Sequence, residues 1–310
     1  MNKKFRILIC IALIVATALS VSCNNRTSKS SSASNVQSAS EDNIVFCDKY
    51  LEDYIKKSDK GISENLFDET VFQPIKKEYS VDARALFDKT IEDIKGLEKD
   101  LEYLRKEKGN IEGIIKESLV KCKEMLPASE KVAIYILVED PKIYKMFKES
   151  VRAMTPKSGI MILVVSPSQK DYKEKLQHVI AHEYCHSVDI SSFGELNMLD
   201  SLISEGKAES FANIAFPEVK SRLSDDLSRD EELKVWTEIK DKLSSVDGSF
   251  IGPILNGTKE GLPEFAGYRL GNKIVKQFIE KNPNTSIHQW TDMKPNELFG
   301  KSQYLSNWNQ

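Results

Sequence analysis

The sequence predicts an α+β chain that is mostly α, with a small sheet, and three observations carry that expectation. Apolar residues recur at three- and four-residue intervals over much of the chain, as on helices with one buried face. Two short runs, Val132 to Val138 and Ile160 to Val165, are instead dominated by β-branched residues. They are bounded by the turn signals Glu139-Asp140-Pro141 and Ser166-Pro167, which makes them strands of a mixed or antiparallel sheet. An H-E-x-x-H run, His182 to His186, lies within a further apolar stretch of helical character.

In chain order, the first 22 residues have the character of a leader. Lys3, Lys4 and Arg6 form a positive start, and Ile7 to Val21 an apolar core short for a spanning helix. Leu19-Ser20-Val21-Ser22-Cys23 resembles a bacterial lipobox, in which Cys23 would be lipidated and become the new N-terminus. Ser20 departs from the aliphatic residue usual three positions before that cysteine. The alternatives are cleavage with plain secretion, or an uncleaved anchor; all three place the body of the protein outside the cytoplasm. Residues 23–43, rich in Ser and Asn, form a flexible tether. Residues 44–130 follow as an N-terminal helical region and residues 131–310 as the unit that carries the H-E-x-x-H run.

Within the helical region, Ile91, Ile94, Leu97, Leu101 and Leu104 form one apolar stripe, with charged residues between. Gly109-Asn110 predicts a break, and Ile111, Ile114, Ile115 and Leu119 begin a second helix that stops before Pro127. Too few heptads are sustained for a coiled coil. After the two strands, Ser168-Gln169-Lys170-Asp171 reads as a capping box for the H-E-x-x-H helix.

Residues four apart on a helix share a face, so His182 and His186 can present two imidazole nitrogens to one metal ion, with Glu183 beside them to reach a water. A catalytic zinc needs a third protein ligand and an open position. Glu205 is the candidate, on a second helix beginning near Asn197 or Asp200. Asp189 is the runner-up for a carboxylate near the metal, expected otherwise to support a histidine or end the helix. Glu209, one turn after Glu205, is placed to hydrogen-bond a ligating histidine from behind. Cys185 lies about 100° around the helix from His186 and reads as a small core residue, and His178 as a packing residue at the cleft.

His182-Glu183-x-x-His186 followed by Glu205 within Glu-Gly-x-Ala-Glu resembles the gluzincin clan of zinc peptidases. The surrounding Ala181-His182-Glu183-Tyr184 and Leu202-Ile203-Ser204-Glu205-Gly206-Lys207-Ala208-Glu209 are most similar to a YjaZ-like bacterial family of Zn-dependent proteases. The likeness runs from about Val132 onward and is strongest over the two motif helices; Cys185 and Lys207 depart from it. The resemblance implies a zinc metallopeptidase domain over residues 131–310 with Zn²⁺ on His182, His186 and Glu205 and with Glu183 as general base. It also implies a peptide-binding strand just before the metal helix. Ile160 to Val165 is the candidate, with a covered interior strand as the alternative. The metzincin pattern fails at Asp189 and Ser192.

Beyond the second motif helix, Val219 to Val246 reads as a charged amphipathic segment and Gly248 to Gly261 as a long loop. Pro263 to Asn282 forms another helix. Its Gly267-Tyr268-x-x-Gly271 resembles the family's later helix, which makes Tyr268 a candidate oxyanion donor against the alternative of core packing. His288 is a second choice for that role.

The 310 residues carry a net charge of −3 with no basic stripe, which excludes nucleic acid as an expected partner. The five cysteines, of which Cys10 leaves with the leader, do not form a disulfide framework, although a Cys47–Cys122 bridge is open. The expected activity is peptide hydrolysis, with endopeptidase preferred because no Gly-x-Met-Glu-Asn stretch for a substrate amine is present. The alternative is a non-catalytic zinc-containing lipoprotein acting as a binding or chaperone-like module.

Overall fold

The computed structural model describes residues 42–87, 91–128, 131–189 and 193–308. The expected leader, Cys10, Cys23, the expected tether up to residue 41 and Ser192 lie outside the described residues. The elements in order are β1 (Asn43–Phe46), α1 (Asp48–Ser58), α2 (Gln73–Tyr79), α3 (Ile94–Met125), β2 (Ala133–Val138), α4 (Pro141–Phe147), β3 (Val151–Lys157) and β4 (Ile160–Val165). They continue with α5 (Tyr172–Val188), α6 (Met198–Ala215), α7 (Arg229–Ile239), α8 (Gly248–Leu255), α9 (Ala266–Lys281), α10 (Ile287–Thr291) and α11 (Pro295–Ser302).

The fold is α+β and mostly helical, with a four-stranded mixed sheet in the order β1-β2-β4-β3. β1, β2 and β4 run parallel and β3 pairs antiparallel with β4. The two strands expected from sequence are the interior pair, buried along nearly their whole length, which is why they read as continuous apolar runs. The candidate substrate strand, Ile160 to Val165, is therefore a covered interior strand, and β3 is the edge beside it. β1 joins the sheet from before the N-terminal helices, so the sheet draws on both sides of residue 130. Asp42 fastens its start, accepting from Lys123 Nζ at 2.6 Å and from Val132 N at 3.0 Å.

Three local expectations change, and one open alternative falls. Gly109-Asn110 does not break the helix: α3 runs unbroken through both residues. A helical glycine costs about 1 kcal/mol relative to alanine, less than the packing of Leu104, Ile111 and Ile115 on either side returns. The capping box at Ser168 does not form; α5 starts after Asp171, which makes no side-chain cap bond, while Ser168 Oγ accepts from Gln169 Nε2. The loop expected over Gly248 to Gly261 contains α8, capped by Asp247 on Ser249 N and held by buried Ile251, Ile254 and Leu255. Cys47, Cys122 and Cys185 are separate buried thiols, and the Cys47–Cys122 bridge is not formed. Burial pushes the first two up to about 12, which leaves them unreactive.

α5, α6 and α9 form the helical layer that carries the site. α6 starts at Asn197, where a reciprocal capping box with Asp200 is present. It crosses α9 backbone to backbone. A Cβ on Gly206 would meet Gly271 O at 2.3 Å, and one on Gly271 would meet Leu202 O at 2.1 Å. Only glycine at both positions permits that approach. Among the described residues no helix is long and apolar enough to cross a membrane.

Candidate active site

His182 and Glu183 are buried on α5, and Glu205 reaches across from α6. The structure brings His182 Nε2, His186 Nε2 and Glu205 Oε2 into one triangle. Its sides are 3.2 Å between the two imidazoles and 3.3 Å from each to the carboxylate oxygen. Donors at about 2.0–2.1 Å from a tetrahedral zinc ion stand about 3.3 Å from one another. The triangle therefore fits three corners of such a site, and these residues could hold a metal ion.

The ring nitrogens not aimed into the triangle have partners. His182 Nδ1 lies 3.1 Å from Glu209 Oε2, which fixes the tautomer that leaves Nε2 with a free lone pair. His186 Nδ1 lies 3.4 Å from Ser204 Oγ. Glu209 is fully buried; its Oε1 sits 3.5 Å from His178 Nε2, at the limit of a hydrogen bond. His178 Nε2 is 3.3 Å from Asn213 Oδ1, so this histidine bonds to Asn213 and stays outside the triangle.

The electrostatics favour a cation. Burial alone would lower His182, but the Glu205 and Glu209 carboxylates outweigh it and hold the imidazole up at about 10. Burial would likewise raise Glu205, yet the two histidines hold it down at about 2. The pocket is thus built around a positive charge, either a proton on His182 or a metal ion in its place.

Glu183 is anchored from the sheet. Thr155 Oγ1 on β3 donates to Glu183 Oε2 at 2.7 Å and lies 3.1 Å from the Glu183 carbonyl oxygen. Tyr268, on α9, has its ring centroid 6.5 Å from that of His182. Burial, together with the Glu205, Glu183 and Glu209 carboxylates, raises its hydroxyl well above the ordinary tyrosine range, so it remains a donor. Asp189 ends α5 and accepts from the buried Lys207 Nζ at 3.0 Å. Cys185 is buried and takes no place among the three donors. His288 is exposed and does not line the cleft.

The cleft over the triangle has a cavity volume of about 210 Å³. One wall is the whole of Val151 to Pro156; the opposite side includes Leu223, Phe265 and Tyr268. At its rim, Glu149 accepts from Lys175 and Arg222, at 3.4 and 3.2 Å. Sequence reasoning missed Thr155, Ser204 and the β3 edge. Thr155 and Ser204 lie 28 and 18 positions from the residues they contact, and no local pattern signals such pairings.

An α+β protein with an H-E-x-x-H helix and a carboxylate-bearing partner helix, closing on a three-donor metal site in a cleft, is the class that fold and geometry define. The sequence matches the family described as "Predicted Zn-dependent protease (DUF2268)" over residues 111–300, and the chain belongs to that family. No curated protein and no solved structure matches it.

Proposed function

We propose that this protein is a zinc-dependent peptidase of the gluzincin type, an endopeptidase anchored outside the cytoplasm by a lipidated Cys23. The observation that carries the catalytic part is the triangle of His182, His186 and Glu205 with a further carboxylate, Glu183, beside it on the helix of the two histidines. The lipobox-like Leu19 to Cys23 supports the anchor.

Zinc held by the three donors would supply Lewis acidity, acidifying water and polarising a carbonyl. The chain's own residues do the rest. Glu183 takes the proton of the attacking water and returns it to the leaving amine. Tyr268 donates to the oxyanion that develops on the carbonyl. Glu209 and Ser204 keep the histidine rings turned toward the donor triangle. An extended peptide lies along the free edge of β3, pairing main chain to main chain as far as Thr155, because Pro156 offers no N–H.

Metal analysis of the folded domain with peptide-library cleavage, with and without chelator, tests the proposal. Glu183→Gln is expected to keep stoichiometric zinc and lose at least about a hundredfold in kcat. Glu205→Ala is expected to lose zinc affinity. A Glu183→Gln protein that cleaves at the wild-type rate removes the base, and full zinc occupancy in Glu205→Ala removes the third ligand. A protein that binds zinc tightly but cleaves nothing in the library favours the non-catalytic lipoprotein.

A further inference from the structure

We infer that Thr155 is the positioning residue of the base: its hydroxyl holds one oxygen of the Glu183 carboxylate and leaves the other to face the water. This rests on the peptidase reading above and adds a residue that neither motif contains.

Among the described residues, the Thr155 hydroxyl makes the only side-chain hydrogen bond to the Glu183 carboxylate, at 2.7 Å to Oε2. The hydroxyl has a single proton and two acceptors within reach, that oxygen and the Glu183 carbonyl oxygen at 3.1 Å. The shorter, charge-assisted bond to the carboxylate is the stronger. Oε2 is thereby engaged, and Oε1 is left for proton transfer. Threonine suits the task because its β-branch restricts χ1, so the hydroxyl is aimed before the carboxylate arrives.

The strand is built to deliver that hydroxyl. The β3–β4 pairing is regular from Val151 to Met154 and then slips between Met154 and Lys157. Such an irregularity changes where side chains point, and Thr155 and Pro156 are the two residues inside it. Beyond it the turn is stitched to the same helix one turn further on. Ser158 Oγ donates to Ser187 O at 2.7 Å, and Gly159 N donates to Ser187 Oγ at 3.0 Å. Glu183 and Ser187 lie on one face of α5, so these bonds fix strand against helix on both sides of Pro156. The strand that lines the cleft therefore also sets the base.

The test compares Thr155→Val, which keeps the shape and removes the hydroxyl, with Thr155→Ser, which keeps the hydroxyl. Both are measured as zinc-loaded enzyme on a cleaved library peptide and as metal-free protein by thermal melting. Thr155→Val is expected to lower kcat about tenfold to a hundredfold with KM and zinc stoichiometry unchanged, and Thr155→Ser to restore kcat to within about threefold. In metal-free protein, Thr155→Val is expected to lower the melting temperature in the wild-type background and to have a clearly smaller effect beside Glu183→Ala, where only the weaker bond to the carbonyl oxygen of residue 183 is left to lose. Wild-type kcat in Thr155→Val, equal loss in the serine variant, or the same melting shift in both backgrounds overturns the assignment. If the wild-type protein cleaves nothing, the peptidase reading fails separately. The melting cycle then still decides whether Thr155 holds Glu183.

Discussion

Replacing Gly271 by alanine tests whether the site depends on direct backbone contact between two helices. The added Cβ would lie 2.1 Å from Leu202 O, 3.1 Å from Leu202 C and 3.2 Å from Gly206 N. These are main-chain atoms, so no side chain can swing aside. Ordinary contact begins near 3.4 Å, which requires α6 and α9 to part by about 1 Å at the crossing. Tyr268 lies one turn before Gly271 on α9, and Glu205 is adjacent to Gly206 on α6, so both would move. Alanine gains about 1 kcal/mol in helix propensity, while overpacking against main chain falls in the upper part of the usual range, about 2–3 kcal/mol. The net loss is expected at about 1–2 kcal/mol, a fall of roughly 2–8 °C in melting temperature. Gly109→Ala, inside α3 with nothing within 4 Å of the new Cβ, is the matched control and is expected to raise it slightly. Calorimetric melts of both variants, with a zinc titration of each, make the comparison. A Gly271→Ala protein that melts at or above wild type with unchanged zinc affinity would refute the backbone-contact argument.

Two other outcomes are expected. The carboxyl of Asp140, raised by burial from 3.8 to about 6, ionises with more difficulty in the fold than in the unfolded chain. Its stabilising contribution is therefore complete below about pH 3.8 and lost as pH rises through about 6. Asp140→Asn keeps an acceptor for the cap bond from Lys142 N, so its stability relative to wild type should rise by about 1–3 kcal/mol between pH 4 and pH 7. A difference that stays flat in denaturant titrations across that range would discount the shift. Lys207, 1% exposed, donates to Asp189 and to Thr291 O and so ties the end of α5 to α6 and α10. Lys207→Met is expected to cost about 3–5 kcal/mol by leaving the Asp189 charge without its cation. Asp189→Asn in the same chain should recover much of that loss, and strictly additive effects in the double variant would dismiss the pairing.

What the sequence made legible was local. The i, i+4 spacing of His182 and His186 is a property of any helix, and a helix start was expected near Asn197 or Asp200, where the structure places a capping box. β2 and β4 were readable because interior strands leave long β-branched runs. β1 has four residues, too few for periodicity to register. β3 contains Met154 and Pro156, and its burial does not alternate through the register slip. Gly109-Asn110 suggested a break and Gly248 to Gly261 a loop, but the neighbouring burial outweighed both signals. Thr155 was invisible for a different reason: its significance lies wholly in a contact between a strand edge and a helix 28 positions away.

The sheet order also fixes how the molecule can be held. β1 and β3 occupy opposite margins, separated by three strand spacings of about 4.8 Å each. Whatever precedes Asp42 attaches at the margin remote from the cleft, and tension arriving there is taken up by the Asp42 clamp on Lys123 and Val132 before it can reach the sheet. A pull on the chain ahead of Asp42 would load that clamp first and leave the bond between Thr155 and Glu183 undisturbed.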